Sequence, residues 1–340
     1  MIEILQIIFF TLVFTLFLFV PLNVFSKTIF LNNDGIIENT TLNLVINLNI
    51  LLFLSFLPLS VHSIQPFIFS GYAIILIVSY GKNFNLVLKY LKSFFPLFVI
   101  FFLLAINIST ELYLGWDAKY FYYIKSLFFY EEKSIFDLNQ FEYSVWHPHF
   151  GSYLWGFFWT LSFIDFEYFG RLFYLFLFCY SFFVISKISK IDLVNNIIFL
   201  ILIFLSYEYS FFSGLQEVLI FSFLIILSKY FFLISEKNSK NDFIYLCLIF
   251  LFSNLLIWIK SEGVVYFFIL LILLLIQNQI SINITLQTPV NNLTTFHPIF
   301  ITPHLIYLPL FFTGNCLGHT SLSCRCSLES SRFIMENWRL

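Results

Sequence analysis

The sequence predicts an all-α membrane protein, a polytopic bundle of about eight to nine spanning helices with an outer-face loop and an interfacial helix. Two properties of its 340 residues predict this class, because 60% of them are apolar and only 11% are charged. A soluble domain carries about one quarter charged residues. The third observation is the order of the chain, in which long apolar runs alternate with short polar connections.

The apolar runs have the length that a helix needs to cross a hydrocarbon core about 30 Å thick, which is roughly 20 residues. The predicted spans are 4–25, 42–61, 64–80, 93–109, 167–186, 193–209, 218–235 and 243–259, with a shorter ninth run at 264–276. The first run ends at residues 25–27 without a small-x-small cleavage site, so we expect it to be retained.

Lysine-bearing connections predict the orientation, because cytoplasmic loops carry an excess of positive charge. These connections are 81–92, 187–192 and 236–242. All three connections lie on the cytoplasmic side only if the apolar run 151–164 does not cross the membrane. That run is short and contains Trp155 and Trp159, so we expect an interfacial helix with its indole rings at headgroup level. The predicted location is the cell membrane, plasma or inner, with a multi-pass topology.

Three connections then meet on the outer face, namely 110–150, 206–217 and 260–263. Most acidic residues of the helical region lie there. Carboxylates at membrane depth are costly, so those beside apolar helices should line a cavity or take part in chemistry. The alternative is that the outer loops are simply solvated and acidic, and this alternative suits Glu131, Glu132 and Asp137.

The segment 115–125 places Asp117 immediately after the predicted span 93–109. Its carboxylate is flanked by Trp116 and by tyrosines that can stack on sugar rings, so it is suited to accept a proton from a hydroxyl or to bind a cation. A structural alternative is equally open: the aromatic residues form an interfacial belt and Asp117 caps a helix.

An ordered set of segments resembles the GT-C superfamily of membrane glycosyltransferases across residues 93–276. The set consists of Trp116-Asp117 after a membrane helix, then Trp146-His147-Pro148-His149-Phe150-Gly151-Ser152 opening an apolar helix, then Gly170-Arg171, and then Lys260-Ser261-Glu262-Gly263. The second segment is similar to the His-Pro-Pro-Leu-Gly stretch of protein O-mannosyltransferases. The last is similar to a Lys-Asn-Glu-Gly stretch of related bacterial members.

The resemblance implies a transferase that takes a sugar from a polyprenyl-phosphate carrier and inverts the anomeric centre. The acceptor is a hydroxyl of a glycan, lipid or protein. Asp117 matches the family's general base, and Glu217 is the second catalytic candidate because it corresponds to another outer-face acid, although it also suits a helix N-terminus. The residues expected to bind substrate are Lys260, Glu262, Arg171, His147 and Trp116. A lipid-linked donor explains a many-helix body that has no nucleotide-phosphate loop.

The chain departs from the family where Ala118 follows Asp117, because relatives often carry a second acid there. No cofactor is certain, and a divalent metal stays open: His147 and His149 would need help from Asp117 or Glu217 to hold one.

Three basic residues also have structural interpretations. Arg171 would snorkel to the interface, and Lys229 would snorkel or face the bundle. Lys260 and Glu262 are two positions apart and are not expected to pair on a helix.

Two other classes of protein are alternatives. A transporter or lipid flippase would show repeated halves with matching Gly or Pro breaks, and the chain has no such repeat. A scaffold subunit of an envelope-assembly complex explains the helices but not the ordered segments. Nucleic acid is an unsuitable partner because 17 basic and 19 acidic residues leave no basic face, whereas membrane lipid is expected as a partner.

The sequence therefore divides into N-terminal membrane helices at 1–92, a GT-C-like core at 93–276 and an atypical tail at 277–340. The tail has no Lys, is poor in Phe and contains three of the five Cys. This switch in residue usage predicts a truncated or frameshifted segment that forms no stable domain.

Overall fold

A computed structural model describes residues 2–20, 35–80, 84–110, 113–140, 148–163, 165–235 and 242–287. Throughout these ranges the chain forms helices and turns, and no strand occurs in them. The described residues all belong to one compact unit. The all-α class predicted from the sequence is confirmed.

Each predicted apolar run overlaps mainly with one helix, although several helix bounds differ from the predicted ones by six residues or more. They are α1 (Ile2–Phe19), α2 (Ile36–Ser55), α3 (Val61–Tyr80), α4 (Phe84–Ser109), α5 (Tyr123–Tyr130), α6 (Phe150–Trp159), α7 (Tyr168–Ser186), α8 (Asp192–Ser206), α9 (Glu217–Ser235), α10 (Asp242–Ile259) and α11 (Glu262–Gln287). A π-helix, Ala118–Tyr122, precedes α5, and 3-10 turns occupy Ile135–Gln140 and Tyr209–Phe212.

Six helices are long and apolar enough to cross a membrane, namely α1, α2, α3, α4, α7 and α9. The described apolar parts of α8, α10 and α11 are shorter, at 10–17 residues. These lengths suggest a membrane-embedded protein. The larger number of eight to nine spans stays a prediction.

Helix α7 forms the centre of the bundle because it is apolar on every side, and such a helix is stable only when it is buried. It packs against α4, α6, α8 and α9. Phe173 stacks on Phe158 of α6 with 4.2 Å between ring centroids, and Phe176 stacks on Phe14 of α1 at 4.6 Å. Aromatic packing therefore accounts for much of the core.

Helix α6 differs from the predicted interfacial helix in one respect. It has ten residues, about 15 Å of helix, and is too short to cross the hydrocarbon core. Its indole rings do not face lipid headgroups as expected, because Trp155 and Trp159 are buried inside the protein. Trp159 stacks on Tyr130 at 4.3 Å and on Tyr123 at 5.7 Å. Protein contacts therefore replace the expected lipid contacts.

One end of the bundle, called here the Lys260 end, joins the three connections that the sequence placed on one face. The Gly115 amide donates to the Ser213 carbonyl at 2.9 Å, which ties the segment after α4 to the one before α9. Lys260 in turn contacts Glu217 at the start of α9. The described parts of 110–150, 206–217 and 260–263 therefore lie together.

The opposite end contains a buried charge inside the bundle. Lys229 of α9 donates to the Val184 carbonyl of α7 at 3.0 Å and lies 3.8 Å from Glu38 of α2. Of the two interpretations of Lys229, the one that faces it into the bundle is confirmed.

The predicted tail begins inside a helix, because α11 continues to Gln287. Residues 288–340 lie outside the described residues. The prediction that the tail forms no stable domain therefore stays a prediction.

The topology predicts which surface residues share a side of the membrane. In a background without cysteine, Lys133→Cys and Ser261→Cys should react with an impermeant maleimide added outside intact cells. Lys190→Cys, which is exposed at the opposite end, should react only after permeabilisation. Reaction of Lys133→Cys and Ser261→Cys from opposite sides would contradict the arrangement.

Candidate functional site

A charged cluster lies at the Lys260 end, centred on the ammonium group of Lys260. This group donates a hydrogen bond to Glu217 Oε1 and lies 3.5 Å from Glu262 Oε1. Glu217 is the first residue of α9, so it also occupies the helix N-terminus that the sequence suggested. The cluster is half open, since the exposed fraction of the side chains is 15% for Lys260 and 55% for Glu262.

The expectation that Lys260 and Glu262 do not pair is wrong. That expectation assumed one continuous helix, but α10 ends at Ile259 and α11 begins at Glu262. Lys260 therefore lies in a tight turn, where the Gly263 amide bonds to its carbonyl at 2.9 Å. A Cβ at Gly263 would collide with the Leu256 carbonyl, so the turn requires glycine.

The Lys260 ammonium stays charged. Burial alone would lower its pKa, but Glu217, Tyr122 and Glu262 outweigh burial and raise the pKa above its usual value. The site therefore holds a fixed positive charge over the whole physiological pH range.

Tyr122 belongs to the same cluster, although the sequence did not single it out. Its side chain is 3% exposed, and its hydroxyl interacts electrostatically with Lys260, Glu217, Glu262 and Asp117. Burial is the main reason why its pKa is raised; Lys260 opposes this effect and the carboxylates add to it. The phenol is therefore neutral and able to donate a hydrogen bond.

Asp117 reaches this cluster through the π-helix. The Tyr123 amide bonds to the Ala118 carbonyl, which is the i→i+5 pattern of a π-helix. This wider turn brings Asp117 and Tyr122, five positions apart, towards one face. Asp117 is the N-cap residue of the π-helix, as the structural interpretation expected, but its side chain makes no capping hydrogen bond. Its carboxylate is half-buried beside the cluster.

A buried amide holds the elements of the cluster together. Gln216 is fully buried, and its amide satisfies both neighbours when the nitrogen donates to the Ile259 carbonyl at 2.6 Å. The oxygen then accepts from the Ser152 amide at 3.1 Å. The Ser152 hydroxyl in turn donates to the Tyr122 carbonyl at 3.2 Å. The end of α10, the start of α9, α6 and the π-helix are thereby connected.

Arg171 supports the loop before α9. The expectation that it snorkels to the interface is wrong, because its side chain is 1% exposed. Its guanidinium bonds to both carboxylate oxygens of Glu167, at 2.9 and 3.1 Å, and to the Phe212 carbonyl at 2.9 Å. Burial raises the pKa of Glu167, against the effect of Arg171. Arg171 takes no part in the ion pairs of Lys260, and its substrate-binding role stays a prediction.

Trp116 lies at the rim of the cluster with its side chain 61% exposed. Its ring centroid is 5.2 Å from Tyr120 and 5.8 Å from Phe121. An aromatic surface next to Asp117 is therefore open to the outside.

The two histidines have different outcomes. His147 lies outside the described residues. His149 is buried, and Ser55 contacts its Nε2 at 2.8 Å, while Phe56 and Trp258 pack edge-on against its ring. Burial lowers its pKa to about 4, so the ring is neutral. The Ser55 hydroxyl donates to the Leu52 carbonyl, so it accepts from His149 Nε2. The neutral ring therefore carries its one proton on Nε2.

A metal site is not formed within the part of the chain that the structure describes. No three His, Cys, Asp or Glu side chains come together there. In particular, His149 does not join Asp117 or Glu217 in such a group.

No family model matches this chain, and no curated protein sequence or solved structure matches it either.

The buried Glu167–Arg171 pair predicts a large stability effect. Glu167→Gln should destabilise the protein by about 3 kcal/mol, because it leaves a buried guanidinium without its counter-charge. Asp192→Asn is the matched control: Asp192 is 92% exposed and lies 3.9 Å from Lys187. The control should change stability by less than about 0.5 kcal/mol. Thermal unfolding in detergent measures both, and equal effects would contradict the structural role of Arg171.

Proposed function

We propose that this chain is an integral membrane glycosyltransferase that moves a sugar from a polyprenyl-phosphate donor to an acceptor hydroxyl on the outer face of the membrane. The observation that carries the proposal is the Lys260 cluster at one end of a bundle of apolar helices, where Tyr122 interacts electrostatically with both the fixed cation of Lys260 and the carboxylate of Asp117. The GT-C resemblance of the same residues supports this assignment.

The donor has two parts that match two features of the molecule. Its polyprenyl tail is soluble only in the bilayer, which suits long apolar helices such as α9. Its phosphate is an anion, and Lys260 offers a charged donor at the point where α10 and α11 meet. A phosphate oxygen taking the place of Glu262 would gain a charge-assisted hydrogen bond. Glu217 keeps Lys260 oriented during this exchange.

The acceptor hydroxyl needs a base, and Asp117 is suited to that role because its carboxylate makes no capping bond. The proton of the acceptor hydroxyl passes to Asp117 as the hydroxyl oxygen forms a bond to the anomeric carbon of the donor sugar. The bond from this carbon to the phosphate oxygen breaks at the same time. Polyprenyl phosphate leaves with the electron pair, and Lys260 stabilises its charge. Trp116 and Tyr120 offer aromatic faces for the acceptor's sugar or lipid.

Asp117→Asn tests the base. The substitution keeps the shape of the side chain but removes its basicity, so transfer should fall by about 10² to 10⁴ fold while donor binding is retained. The assay is sugar transfer by membranes from a radiolabelled polyprenyl-phosphate donor. Glu131→Gln, an exposed carboxylate of the same face, should leave transfer unchanged.

Lys260→Gln in the same assay separates binding from chemistry. It should weaken donor binding by about 10 to 100 fold, because a charge-assisted bond contributes about 1.5 to 3 kcal/mol.

Undiminished transfer by Asp117→Asn would contradict the proposed role of Asp117 as the base. A transporter or lipid flippase would then be the better proposal.

A further inference from the structure

One oxygen of the Lys260 cluster has no hydrogen-bond partner within the described structure. Glu217 Oε1 accepts from Lys260, but Oε2 is buried and accepts from no group in the described ranges. A buried carboxylate oxygen without a donor is costly and rare in folded proteins. The oxygen therefore marks a position where a donor from outside the chain would be stabilised.

Tyr122 supplies a complementary group close to this oxygen. Its hydroxyl interacts electrostatically with both Glu217 and Lys260. The backbone at Tyr122 is fixed, because its carbonyl accepts from the Ser126 hydroxyl at 2.8 Å and from the Ser152 hydroxyl at 3.2 Å. A neutral phenol both donates and accepts, so Tyr122 adds a second polar group to this part of the cluster.

The unpartnered oxygen of Glu217 and the hydroxyl of Tyr122 together indicate the chemical class of the ligand. An ionised phosphate has no proton to donate to Glu217 Oε2, whereas a hydroxyl donates to a carboxylate and accepts from a phenol. A sugar presents such hydroxyls on a rigid ring, so two fixed partners can distinguish one ring position from another. The exposed fraction of the side chains, 36% for Glu217 and 55% for Glu262, opens this part of the cluster to the outer end.

We propose that Glu217 and Tyr122 bind a hydroxyl of the donor sugar and thereby determine which sugar the protein accepts. This inference rests on the proposed function, because it assumes that Lys260 binds the phosphate of the same donor. Glu217 and Tyr122 then act on the sugar, and Lys260 acts on the phosphate.

The test compares lipids with and without a sugar. Binding of decaprenyl phosphate, and of decaprenyl phosphate carrying glucose, mannose, galactose or arabinose, is measured on the full chain in detergent. At least one sugar should improve affinity by about tenfold over decaprenyl phosphate in the wild type. Tyr122→Phe should abolish this gain while the affinity for decaprenyl phosphate stays within about twofold.

Two further variants complete the design. Tyr153→Phe is the matched control, since Tyr153 is equally buried and its hydroxyl has no hydrogen-bond partner in the described structure, and it should keep the gain. Glu217→Gln should also abolish the gain, which keeps the test valid if Tyr122→Phe does not fold.

The outcomes separate the two proposals. If decaprenyl phosphate binds through Lys260 but no sugar improves affinity, or if the gain survives in Tyr122→Phe and Glu217→Gln, the inference is overturned and the donor site stands. If decaprenyl phosphate shows no binding that Lys260→Gln removes, the proposed function fails and the inference fails with it.

Discussion

The ion pair between Lys260 and Glu217 is the interaction on which the site depends. An ammonium group close to apolar helices is costly, about 2.5 to 3.5 kcal/mol at the centre of a membrane helix, unless it is paired. Here the charge lies in the turn between α10 and α11 and is paired with the first residue of α9. The pair therefore fixes three helix ends relative to one another. Tyr122 and Asp117 take their positions against this fixed point.

Buried polar contacts beneath the pair connect the same elements. Gln216 bonds to α6 and to the end of α10, and Arg171 holds the Phe212 carbonyl in the loop before α9. Gly170 allows α7 to approach Trp155, since a Cβ at this position would collide with the indole ring. The same strategy recurs at the opposite end, where Lys229 pairs with Glu38 and with a carbonyl of α7. Buried polar groups thus join these helices through directional contacts, whereas apolar contacts have little directionality.

Much of the fold could be predicted from the sequence, because apolar runs bounded by charge specify helices directly. The meeting of the connection that ends at Glu217 with the connection that contains Lys260 followed from lysine placement and helix counting. Tyr122 was missed because it is one of 19 tyrosines and because a local π-helix has no simple sequence signal. The error at α6 has a similar cause: a short Trp-rich run looks alike whether its rings face headgroups or other aromatic residues. The Lys260–Glu262 pair was missed because it depends on where α10 ends, and the sequence pattern specifies helix ends poorly.

A double-mutant cycle between Lys260 and Glu217 tests the central claim most directly. Lys260→Gln, Glu217→Gln and the double variant are compared by reversible unfolding in mixed micelles, with Lys187 and Asp192 as the control pair. We expect a coupling free energy of about 1 to 3 kcal/mol for the first pair and less than about 0.5 kcal/mol for the control pair, in which Asp192 is 92% exposed. Additive effects at Lys260 and Glu217 would contradict it.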